Sequence, residues 1–128
     1  MYWRIYGRTN KKDWGGKVID RNNVKDINKE IADIVDKYIA IVKENYDVVA
    51  IILFGSYAKG TNHEDSDIDI AVVTDDIKTD KFDEEVNLTL LRRKIDSRIE
   101  PHIIKVEDYE NDETPFIVEV KNTGIKVA

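Results

Sequence analysis

Val48-Val49-Ala50-Ile51-Ile52-Leu53-Phe54-Gly55-Ser56-Tyr57-Ala58-Lys59-Gly60 is the stretch on which the fold turns. Its first half is an uninterrupted apolar run, rich in β-branched residues, and reads as a strand covered on both faces, hence the central strand of a sheet. A glycine and a hydroxyl then follow directly, where backbone can approach a ligand closely and exposed N–H groups can face an anion. A helical turn starting near Tyr57 adds its positive end at the same place. The pattern fits a phosphate seat. A Gly-Ser pair after a strand is also an ordinary turn, so its meaning depends on its neighbours.

Downstream, Thr61 to Asp65 is polar and loop-like, and Asp67-Ile68-Asp69-Ile70-Ala71-Val72-Val73 forms a second buried strand. Asp67 and Asp69 are two apart on that strand, so their carboxylates project from one face while Ile68 and Ile70 point into the core. Two adjacent anions repel unless a cation or hydrogen-bond donors compensate them. Hard divalent cations such as magnesium choose such carboxylates together with substrate phosphates. A solvated strand start is the competing reading, and the surrounding motif favours metal.

The rest of the chain supplies the frame. Residues from about Asn23 to Asn45 place Ile27, Ile31, Ile34, Val35, Tyr38, Ile39 and Val42 at helical spacing, with Asn22 and Asn23 as the N-cap. Phe82, Val86, Leu90 and Leu91 predict a second amphipathic helix up to about Lys94. Ser97 to Ile104 reads as a third strand, with Ile99, Pro101 and Ile103 on one face and Arg98, Glu100 and His102 on the other; its proline favours an edge position or a bend. Thr114-Pro115 opens a short last helix that Gly124 ends. The order of elements implies a small α/β (α+β) domain, a mixed sheet with helices packed on it.

A third carboxylate on a neighbouring strand would complete a two-metal site. Glu100 is the preferred candidate because it lies inside a strand, where geometry is fixed. Asp96, on the same face by parity, is the alternative, and an exposed edge-strand acid paired with Arg98 is the plainer reading of Glu100.

Gly55-Ser56-Tyr57-Ala58-Lys59-Gly60 followed by Ser66-Asp67-Ile68-Asp69-Ile70 resembles the G-S-x-A-x-G and S-D-x-D signature of the polymerase-β-like nucleotidyltransferase superfamily. Within it, the chain is similar to the minimal nucleotidyltransferases of bacteria and archaea, which often act as antitoxins beside HEPN-type toxins. The order of elements agrees along roughly residues 24 to 104. The resemblance implies that Gly55 and Ser56 hold nucleotide phosphates, with Lys59 and Ser66 beside them. It also implies that Asp67 and Asp69 bind two magnesium ions, with the third acid, Glu100, from the later strand. Two positions depart from the pattern: a glutamate stands where the superfamily usually has aspartate, and Lys59 stands where arginine is frequent, keeping the charge but losing bidentate phosphate recognition. Ser66 is expected to cap the turn before the metal ligands, and Tyr57 and Ala58 to pack.

Bulk properties narrow the acceptor. The 128 residues fit one domain, expected over 1–128 with a catalytic core at about 24–104. Twenty Lys and Arg against 26 Asp and Glu give a net charge of −6, which disfavours general nucleic-acid binding. The first 21 residues are locally basic, with Arg4, Arg8, Lys11, Lys12, Lys17 and Arg21, and read as a solvated arm with an edge strand and a Gly15-Gly16 turn rather than a phosphate-binding arm. No secretory leader or membrane span is expected, and the absence of cysteine agrees with a reducing cytoplasm. His63 and His102 read as solvated or structural groups, and Trp3 and Trp14 as cover for the core or a partner surface. The resulting expectation is magnesium-dependent transfer of AMP from ATP to a hydroxyl of a partner protein, a HEPN-type toxin. The alternatives are transfer to a small hydroxylated molecule, or a catalytically silent module that covers a toxin.

Overall fold

The computed structural model describes the backbone of Ile19–Asp20 and all of residues 28–128. The Asn22 and Asn23 caps, Ile27, the basic N-terminal side chains, Gly15-Gly16, Trp3 and Trp14 lie outside the described residues.

Among the described residues, five strands form one mixed sheet. In chain order they are β1 (Ile19–Asp20), β2 (Ala50–Phe54), β3 (Ile68–Val73), β4 (Ile99–Ile104) and β5 (Ile125–Lys126). Their spatial order is β1-β5-β2-β3-β4; β2 is antiparallel to β3 and β5, whereas β4 runs parallel to β3 and β1 to β5. The apolar run thus forms an interior strand with all five residues buried. Pro101 sits on the edge strand β4, where its missing N–H costs no ladder bond.

Helices cover both faces. Helix α1 (Lys29–Asn45) and α3 (Lys81–Leu91) pack on one, α4 (Val106–Glu110) and α5 (Pro115–Thr123) on the other, and the short α2 (Ser56–Lys59) follows β2. Strand alternation sorts the core into two layers. Ile51, Leu53, Ile68, Ile70, Val72, Ile99 and Ile103 meet α1 and α3. Ala50, Ile52, Phe54, Ala71, Val73 and Ile104 meet Tyr109, Ile117 and Val120. The N-cap of α1 is Asn28, whose side chain accepts from the Glu30 N–H, so the described helix begins after the Asn22-Asn23 pair. Thr114 caps α5 through the Ile117 N–H, with Pro115 in its first turn and Gly124 at its end.

Helix α3 turns a different face inward from the one its spacing predicts. Phe82, Val86 and Leu90 are exposed, Leu91 alone of the predicted set packs against the core, and Leu88 and Glu84 are buried. The Glu84 carboxylate accepts from the Lys78 and Thr79 N–H groups, the Tyr46 hydroxyl and the Asn87 amide. These bonds hold its pKa below the usual carboxylate value, the Lys78 N–H foremost. A saturated carboxylate is a tolerable core group, and here it fixes which side of the helix faces the sheet.

Candidate active site

The signature residues meet at one end of the sheet, where β2 stops and β3 and β4 start. Parallel pairing sets Asp69 against Glu100, and antiparallel pairing sets Phe54 against Asp69. Two acids distant in sequence therefore stand side by side on neighbouring strands, next to the Gly-Ser turn.

Gly55 makes that convergence possible. Its φ of 76° and ψ of −153° belong to a region essentially reserved for glycine, and a Cβ there would collide with the Asp69 carboxylate. The motif glycine thus clears space for the second aspartate. It also acts as N-cap of α2, whose first residue is Ser56 and whose last turn closes on Gly60 in the left-handed region. Ser66 ties the intervening loop: its hydroxyl accepts from the His63 N–H at 2.8 Å, and its own N–H donates to the His63 carbonyl at 3.0 Å. Lys59 reaches across to Glu119 on α5, 3.2 Å away.

The electrostatics are those of clustered like charges. Partial desolvation of the half-exposed side chain, then hydrogen bonding with Asp67 and the charges of Asp69 and Asp67, push the Glu100 carboxyl above its usual value, offset in part by His102. Asp96 is differently placed. It grips Arg98 through the guanidinium, at 3.0 and 2.9 Å, and through the Arg98 N–H, and its pKa is lowered accordingly. Arg98 is thereby committed to Asp96 and not to Glu100.

His102 joins the cluster. Its Nε2 lies 3.9 Å from Asp69 Oδ1 and 4.0 Å from Glu100 Oε1, and one ligand atom from each of the three residues falls within 4.8 Å of the others. Its ring is held by Phe54 and Phe116, each 5.4 Å away between centroids. The signal for His102 was its parity with Glu100 on one strand. Phe116 could not be placed from sequence, because its position depends on how α5 docks. His63, by contrast, lies in the exposed loop beside a cleft lined also by Tyr57, Asn62 and Arg98.

The sheet with its acidic end and Gly-Ser turn matches known proteins. The profile of the polymerase β nucleotidyltransferase family spans residues 36–128. The chain belongs to this family of nucleotidyltransferases. A relative from Methanocaldococcus jannaschii, named provisionally as a protein adenylyltransferase, is 33% identical over 81% of this chain and 94% of its own length. Another from the same organism, named in the same way, is 44% identical over 52% of this chain and 66% of its own length. Among solved structures, a toxin–antitoxin crystallised with AMP-PNP superposes with a TM-score of 0.55 at 28% identity, covering 73% of this chain and 71% of its own. The toxin–antitoxin MntA-HpeT, as a variant with two aspartates two positions apart changed to glutamate, superposes at 0.54 with 26% identity and the same coverage. The chain thus resembles the minimal nucleotidyltransferases of toxin–antitoxin pairs. Among the described residues, no helix is long and apolar enough to cross a membrane.

Proposed function

We propose that this chain transfers AMP from ATP to a hydroxyl of a partner protein, a HEPN-type toxin that it neutralises in the cytoplasm. The observation that carries the reading is the placement of Asp67, Asp69 and Glu100 at the end of the sheet beside Gly55 and Ser56. The two relatives named for protein adenylylation support the acceptor class. The two toxin–antitoxin neighbours support the partner, and one of them carries changes at an aspartate pair with the spacing of Asp67 and Asp69. The net charge of −6 agrees with a protein acceptor over a nucleic acid. The single domain expected over 1–128 would hold the entire site.

Each residue has a role in this reading. Asp67, Asp69 and Glu100 offer the hard carboxylate oxygens that suit magnesium and its phosphate-bound nucleotides. Bound there, magnesium would neutralise the triphosphate and activate the acceptor oxygen. Gly55 and Ser56 present backbone and hydroxyl donors to the phosphates, Lys59 adds positive charge beside them, and Ser66 holds the loop that delivers Asp67. The acceptor oxygen forms a bond to the α-phosphorus as the bond to pyrophosphate breaks, and its proton leaves to solvent or to a neighbouring carboxylate.

The test is an incubation of the purified protein with α-labelled ATP, magnesium and the product of the neighbouring reading frame. Label is expected to move to that product. A stable complex without labelling would favour a silent covering module.

A further inference from the structure

The imidazole of His102 points into the acidic cluster without bonding any member of it. Its Nε2 stands 3.9 and 4.0 Å from the Asp69 and Glu100 oxygens, beyond hydrogen-bond reach of both. A histidine serving only as counter-charge would close on one carboxylate; this one faces a point between two. The ring is also confined. Phe54 from β2 and Phe116 from α5 pack on it at 5.4 Å and on each other at 5.4 Å, so its direction is set by three separate elements. Glu100 is exposed, and rotation of its side chain can close the oxygens around a shared ion.

We infer that His102 is a metal donor, completing with Asp69 and Glu100 a mixed nitrogen–oxygen site that takes manganese or a similar borderline transition ion in preference to magnesium. The inference rests on the metal site proposed above and deepens it. An all-oxygen set suits magnesium, whereas a neutral imidazole adds affinity for later divalent ions with little gain for magnesium. The aromatic wall acts as the support that keeps a ligating ring oriented. Phe116 stands at the start of α5, so the packing of that helix would tune the donor.

Pulsed electron paramagnetic resonance of the full chain loaded with manganese alone reads this directly, because a coordinated imidazole imposes nitrogen hyperfine modulation on the manganese signal. The modulation is expected in the unaltered protein, retained in His63→Gln and absent in His102→Gln. The ratio of manganese to magnesium affinity, measured by calorimetry, should fall about tenfold in His102→Gln. Retained near-ultraviolet circular dichroism shows that the variant is folded. Bound manganese without nitrogen modulation in the unaltered protein overturns the role of His102 and leaves the carboxylate site standing. No manganese binding at all overturns both.

Discussion

Glu84 and Glu100 are glutamates of one small domain, yet their surroundings move their proton affinities in opposite directions. Glu84 is buried on the α1–α3 side and accepts from two backbone N–H groups, a tyrosine hydroxyl and an asparagine amide, which hold it ionised. Glu100 stands at the start of β4 on the opposite face, beside Asp69 and Asp67, and its half-exposed carboxyl is pushed up by partial desolvation and by its anionic neighbours. The first is satisfied inside the protein and serves the fold. The second stands among like charges that His102 offsets only in part, and the fold carries that repulsion as a cost.

The largest effect expected from breaking the comparison falls on chemistry. Asp69→Asn should lower nucleotidyl transfer on the order of 10³-fold, as loss of several kcal/mol of charge stabilisation implies. Its melting temperature should hold or rise, since one member of a repelling set is neutralised; initial rates and thermal melts check the two halves separately. Gly55→Ala comes next, because the new methyl meets the Asp69 carboxylate and the backbone leaves glycine-only territory. About 1–3 kcal/mol of stability should be lost together with activity, read by denaturant unfolding.

Acid titration sharpens the contrast. Because the folded pKa of Glu84 lies below 4.5, its contribution to stability is present above that value and disappears as the pH falls through the folded pKa. Glu100 has the opposite sign: its folded pKa lies above 4.5, so ionising it costs stability as the pH rises past that point. Thermal melts across pH should therefore show Glu84→Gln flattening the acid limb and Glu100→Gln raising the melting temperature at neutral pH. The smallest effect is expected at Phe82, predicted from its spacing to be inward and found 73% exposed. Phe82→Ser should change stability by no more than about 0.5 kcal/mol in a denaturant titration.

The contrast also marks what could be read without coordinates. The β2 run, the Thr114-Pro115 cap and the place of Asp69 on a buried strand were legible because each depends on local periodicity or on a residue's own backbone limits, whereas Asp67, read as part of that strand, lies one residue before β3 begins. The inward face of α3 was not. Charge at position 84 reads as solvated unless its partners are known, and Tyr46 lies 38 residues earlier. Strand β5 escaped for a similar reason, since Ile125–Lys126 is too short to show a period and becomes a strand only by pairing with β2 and β1. In the site, parity placed Glu100 and Asp96 on one face but could not supply the register. The β3–β4 pairing puts Glu100 opposite Asp69, while Arg98 occupies Asp96.

The most direct test of the central claim, that this acidic end of the sheet is where metal and nucleotide meet, is calorimetric binding of a non-hydrolysable ATP analogue with and without magnesium. Binding should require the metal in the unaltered protein and be lost in Asp67→Asn and Asp69→Asn, with folding intact. Equal binding without metal, or undiminished binding in both variants, would contradict the account.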